Sequence, residues 1–116
     1  MDDFPEFMKT PENAIAQASQ SKGARGWIYD GADGKQVAYW VCDKDGVSAE
    51  HVHDFDEYFT VLQGRYTLIL GGRRIDVCRG DEYFIPKNTP HAGEFSAGTR
   101  TIHCFGGRRA GREGKP

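Results

Sequence analysis

From Trp27 to Phe105 a turn signal recurs about every 6–12 residues, a spacing too tight for long helices. Asp30-Gly31-Ala32-Asp33-Gly34, Asp43-Lys44-Asp45-Gly46, Gly71-Gly72, Arg79-Gly80-Asp81, Lys87-Asn88-Thr89-Pro90 and Ser96-Ala97-Gly98 each interrupt an apolar run. Gly71-Gly72 reads as a two-residue hairpin, and Pro86 must end its strand or leave it at a sheet edge. In Gln36–Cys42, Val37, Tyr39 and Val41 alternate with Ala38, Trp40 and Cys42. Both faces are apolar, so this strand is buried on two sides or sits at an interface. About eight to ten short strands in 116 residues predict one all-β domain, a sandwich or a barrel.

The helical exception is near the start. Thr10-Pro11-Glu12-Asn13 has the form of a helix N-terminus, with Thr10 as cap and Pro11 in the first turn, and predicts a short helix to about Ser19. Ile15 is its only large apolar residue, which places it on the surface or against a partner subunit. The chain thus divides into a segment 1–25 with a short helix, a β-domain over 26–105, and a basic Gly/Arg tail over 106–116 expected to be disordered.

Fifteen basic side chains balance seventeen acidic ones, which argues against an electrostatic nucleic-acid binder. Three widely spaced cysteines, Cys42, Cys78 and Cys104, form no CxxC pair and predict reduced thiols in a cytoplasm-like compartment. None has a neighbouring His or basic cluster that would mark it as a nucleophile. No leader-like start and no apolar run of membrane-spanning length is visible, so no membrane partner is expected.

The chemistry gathers in Gly46–Gly64. His51 and His53 lie one residue apart, and in an extended strand such positions share a face. Glu57 keeps that parity and joins them if the chain bends in between, whereas Glu50 points away. Two imidazoles and a carboxylate converging from a β surface suit a divalent transition metal.

Two motifs carry a family resemblance. Gly46, His51, His53, Glu57 and Gly64 follow the first cupin motif, with one residue fewer between Gly46 and His51 than is usual. Gly80, Pro86, Asn88, His91 and Phe95 follow the second. There Asn88 stands for a glycine, a change tolerable because Asn accepts left-handed geometry, and Phe95 stands for a closing Asn. The chain therefore resembles the small single-domain cupins of the "cupin 2" type. The resemblance implies a double-stranded β-helix, or jelly-roll barrel, and one mononuclear metal on His51, His53, Glu57 and His91.

Such a set leaves two positions of an octahedral sphere open, and its nitrogen and oxygen donors suit Fe, Mn, Ni, Co, Zn or Cu. The absence of a nearby thiolate argues against a structural zinc site. His103, on the last strand, is a candidate acid/base beside the metal. Tyr39, Phe59, Val61, Phe84 and Phe95, with Tyr66, are candidates to line a small apolar substrate pocket. Two functions fit: dioxygenase, isomerase or lyase chemistry on a small organic molecule, or non-catalytic binding or sensing of a small molecule or sugar around a structural metal. Cupins of this size often pair, and the doubly apolar Gln36–Cys42 strand is consistent with a homodimer.

Overall fold

The computed structural model describes residues 1–16 and 23–110. Among these, nine strands form: β1 Ala24–Asp30, β2 Gln36–Cys42, β3 Gly46–His51, β4 Glu57–Gln63, β5 Arg65–Leu70, β6 Arg73–Cys78, β7 Glu82–Ile85, β8 His91–Phe95 and β9 Arg100–Phe105. They make a five-stranded sheet ordered β1-β2-β9-β4-β7 and a four-stranded sheet ordered β3-β8-β5-β6. All neighbours are antiparallel. The β5–β6 hairpin turns at Gly71-Gly72, where both φ angles are positive (54° and 84°), as a tight two-residue hairpin requires.

Alternation along the strands sends one set of side chains between the sheets. Phe59, Val61 and Leu68 have no exposed surface, and Val77 and Ile85 join them in one apolar cluster. A second cluster, of Ile15, Ile28, Ala38, Phe105 and Ala110, fills the space near β1 and β2. Burying each such large side chain contributes about 1.5–3 kcal/mol.

The jelly-roll barrel expected from the resemblance does not close. The ladders end at β1 and β7 in one sheet and at β3 and β6 in the other, so the fold is two facing sheets. β7 is only four residues long because Pro86, which has no N–H to donate, follows it at once. β3 pairs with β8 alone, through an irregularity between Ser48 and His51, and carries no ladder to the other sheet.

Nor does the N-terminal helix form. Pro11–Asn13 makes one 3₁₀ turn, and the Thr10 side chain makes no capping bond. Tertiary contacts win over local propensity here. Asn13 Nδ2 donates to Ile28 O at 2.8 Å, Ala14 bridges Trp27, and Ile15 N donates to Gly26 O at 2.9 Å. Ile15 is thereby buried, which a surface helix could not achieve. The expected helix beyond Ala16 lies outside the described residues.

The N-terminal segment instead covers the outer face of the five-stranded sheet. Phe4 and Met8 pack with Trp27, Tyr39 and Val41, and the Tyr29 hydroxyl donates to Met8 O at 2.9 Å. The second apolar face of β2 is thus covered in part by its own chain. At the other end, Ala110 is buried in the cluster with Ile15, Ile28, Ala38 and Phe105. The rest of the expected tail, 111–116, lies outside the described residues.

Candidate metal centre

Both sheets and one loop contribute to the site. His51, at the end of β3, and His91, at the start of β8, are direct cross-strand partners, and their rings meet edge-on at 4.3 Å. Glu57 opens β4 in the opposite sheet. His53 is not on a strand as its spacing predicted, because β3 stops at His51. The loop that carries it is pinned from outside. Asn88 N donates to His53 O at 2.7 Å, Lys87 N to Asp56 Oδ1 at 2.8 Å, and Gly106 N to Asp56 O at 2.8 Å. Asn88 has φ 63°, the left-handed conformation in which Asn can replace glycine. Stacking on Phe55, at 4.6 Å and 11°, orients the His53 ring.

The candidate ligand nitrogens of His51, His53 and His91 lie within 4.8 Å of one another. Glu57 Oε1 is 3.6 Å from both His53 Nε2 and His91 Nε2, too far for a hydrogen bond and close enough for one ion between them. The outer nitrogens are already committed. His51 Nδ1 donates to Ala49 O and His91 Nδ1 to Thr89 O, each at 2.8 Å. A carbonyl only accepts, so each Nδ1 carries the proton, and in the neutral ring Nε2 keeps its lone pair for a metal.

The chemistry of the donor set and its unmet bonds agree. Among the described residues, His53 Nε2, Glu57 Oε1 and His91 Nε2 are the buried side-chain polar atoms without a hydrogen-bond partner. Leaving such an atom unpaired costs about 1–3 kcal/mol. One cation facing all three would satisfy them together, and three nitrogens with one carboxylate oxygen suit a divalent transition metal. The residues fit the metal that the resemblance implies.

Protonation is arranged the same way. Burial pushes the His53 imidazole down to about 4 and also lowers His51. Burial pushes His91 down too, but the neighbouring Glu57 carboxylate outweighs it and raises the net value. Burial would raise the Glu57 carboxyl, yet His103 and His91 hold it well below the usual carboxylate range. The metal-free protein should therefore lose stability as pH falls from about 6.5 towards 4. In that window the unfolded chain protonates at His51 and His53 and the folded chain resists. The His91 contribution is already fully present below its unfolded value, so it does not compensate. Unfolding free energies from urea titrations at pH 6.5 and pH 4.5 should differ by on the order of 2 kcal/mol, with the acid sample less stable. Equal values would contradict the buried, neutral state of His53.

His103 meets the site through Glu57. On the sheet it is the diagonal neighbour of Glu57, and its Nδ1 donates to Glu57 Oε2 at 2.8 Å. Its Nε2 lies 3.0 Å from Thr101 Oγ1, and its ring stacks on Phe59 at 4.8 Å. With both nitrogens engaged, His103 orients the carboxylate so that Oε1 faces the histidines.

Next to this cluster lies a small cavity that opens to solvent. Of the aromatic residues predicted for it, Phe59 and Phe95 line it, as does Tyr66. Val61 is buried beneath it in the core. Tyr39 and Phe84 are corrections. Tyr39 faces outward beneath Phe4, at 5.4 Å, and Phe84 is exposed on the outer face beside Tyr58. Trp40, Phe105 and Arg109 also line the cavity and were not singled out from the sequence. For Trp40 the signal existed, since it alternates with Tyr39, but nothing in the sequence told which face of β2 turns inward.

Comparison with known proteins agrees with this fold. The family model described as "Cupin domain" matches residues 38–104, more than half of the chain. Among solved structures, an RmlC-like cupin from Shewanella frigidimarina aligns with a TM-score of 0.70 at 16% identity, covering 91% of this chain and 90% of its own. The polyketide cyclase RemF from Streptomyces resistomycificus aligns with a TM-score of 0.68 at 22% identity, covering 89% and 77%. KdgF from Halomonas sp. aligns with a TM-score of 0.63 at 18% identity, covering 78% and 91%. No curated protein sequence matches significantly. With both motifs in place on two facing sheets and the family model spanning most of the strands, the chain belongs to the cupin family.

Proposed function

We propose that this cupin holds one divalent transition metal on His51, His53, His91 and Glu57, and that a small organic molecule occupies the adjoining cavity. The observation that supports it is the trio of buried, partnerless atoms, His53 Nε2, Glu57 Oε1 and His91 Nε2, facing one another between the sheets. When bound, the ion supplies Lewis-acid or redox chemistry of the kind that dioxygenases, isomerases and lyases use. RemF, whose fold this chain shares, is a polyketide cyclase, so the scaffold is compatible with such work on small molecules.

The chain's own residues have definable parts. Ala49 O and Thr89 O fix the tautomers of His51 and His91. His103 turns one Glu57 oxygen away from the histidines and leaves the other towards them. Trp40, Phe59 and Phe95 give the cavity apolar walls.

Dialysis of the metal-stripped protein against Co(II), Ni(II) or Zn(II), followed by elemental analysis, should give about one ion per chain. No retained ion with any of the three would overturn the reading. His103→Asn should keep the fold and weaken metal affinity about 10–100-fold, as removal of an outer-shell partner does. Competition against a chromophoric chelator measures this, and an unchanged affinity would show that Glu57 needs no such partner.

A further inference from the structure

Arg109 enters the cavity from a segment with no strand or helix of its own. Two features bring it there. Gly106-Gly107 lets the chain cross the Phe55–Asp56 loop, since a Cβ on Gly107 would come within 2.6 Å of the Phe55 ring. The backbone then docks on Gln36, a side chain only 2% exposed. Gln36 Oε1 accepts from Arg109 N at 2.6 Å and Ala110 N at 3.1 Å, while Gln36 Nε2 donates to Ala110 O at 2.9 Å and Asp30 Oδ1 at 2.9 Å. A buried amide used in this way is an anchor, and what it anchors is the guanidinium beside the metal cluster.

The charge count gives the anchor a purpose. Three neutral imidazoles, one carboxylate and a divalent ion leave a single net positive charge, and the guanidinium adds a second. Burial disfavours the charged form of Arg109, while Glu57 and Tyr66 favour it. Arg109 lines the cavity together with His51, Glu57 and His91. A cavity with this balance is poorly matched to a neutral ligand. The rest of its lining is apolar, with Trp40, Phe59, Tyr66 and Phe95 prominent. A phosphate group, which wants several donors at once, finds one guanidinium, whereas a carboxylate can be met by that fork alone.

We propose that Arg109 is the anion-binding residue of the cavity and that its ligand class is a small organic carboxylate, with the acid group on the guanidinium and the carbon body among the aromatic side chains. The inference rests on the metal reading above, because the ion, less the Glu57 charge, supplies one of the two net positive charges.

The test uses the full chain loaded with Ni(II), as wild type, Arg109→Gln and Arg109→Lys. Metal content by elemental analysis is the first readout. Calorimetric titration with three acid/amide pairs (acetate and acetamide, benzoate and benzamide, mandelate and mandelamide) is the second. Each pair keeps its shape and differs in charge. Wild type should bind at least one acid at least about tenfold more tightly than its amide. Arg109→Gln should erase that preference at unchanged metal content, and Arg109→Lys should restore part of it. Gln36→Ala, which keeps the guanidinium but removes its anchor, should also weaken acid binding. Equal affinity for acid and amide in metal-loaded wild type overturns the carboxylate inference and leaves the metal reading standing, as does a preference that survives Arg109→Gln. Absence of metal in wild type overturns both.

Discussion

His91→Ala and His53→Ala should each lower metal affinity by at least about 100-fold while the two sheets stay folded. Loss of an outer-shell partner already costs about 10–100-fold, and loss of a direct donor should exceed it. His91 is the more informative of the two. It is 3% exposed and is held by Thr89 O, so no neighbouring side chain can swing into its place. Its removal also relieves one of the unpaired buried atoms, which offsets part of the packing loss. The variant should therefore keep the strand signature in circular dichroism. His53 sits on a pinned loop outside the strands, so His53→Ala should disturb the sheets even less. Chelator competition on both variants, with urea midpoints alongside, separates metal loss from unfolding. Wild-type affinity in either variant would remove that residue from the ligand set.

Phe59→Ala should cost about 3–5 kcal/mol of unfolding free energy, the range for deleting a buried aromatic ring from a core. Phe59 has no exposed surface and packs with Val61, Leu68, Val77 and Ile85. It also meets Tyr66 edge-on at 5.3 Å and lies flat against His103 at 4.8 Å and 8°. The same substitution should thus act twice. It opens a void between the sheets, and it frees the ring that holds the Glu57 carboxylate. Phe59→Leu fills most of the void without a flat face, so it should recover much of the stability and less of the metal affinity. Urea denaturation and metal competition on the pair check this. Full recovery of both properties would mean that stacking on His103 contributes nothing to the site.

The three-histidine cluster beside Glu57 was legible in the sequence because its side chains are chemically distinctive and sit at motif spacings. Asn88, which stands for a glycine, does adopt the positive φ that this substitution requires. What could not be read depended on which distant segments meet. Closure of a barrel needs ladders between the sheets, and the edge strands β1, β7, β3 and β6 make none, with Pro86 cutting β7 short. The helix signal at Thr10-Pro11 was a local preference that lost to burial of Ile15 and to the Asn13–Ile28 bond. Tyr39 sits on a strand flanking the motifs, but β2 is apolar on both faces, and alternation cannot tell inner from outer when both are covered. Arg109 had no large apolar neighbour to mark it. Its anchor, Gln36, lies 73 residues earlier, a separation across which no local pattern reaches.

The central claim is that one ion sits where His53 Nε2, His91 Nε2 and Glu57 Oε1 face each other. Crystals of the Co(II)-loaded protein, with anomalous data collected at the cobalt edge, test it most directly. A single peak per chain within about 2–2.3 Å of those three atoms and of His51 Nε2 is the expected result. A peak held by other residues, or no peak between the sheets in crystals whose protein carries cobalt, would contradict it.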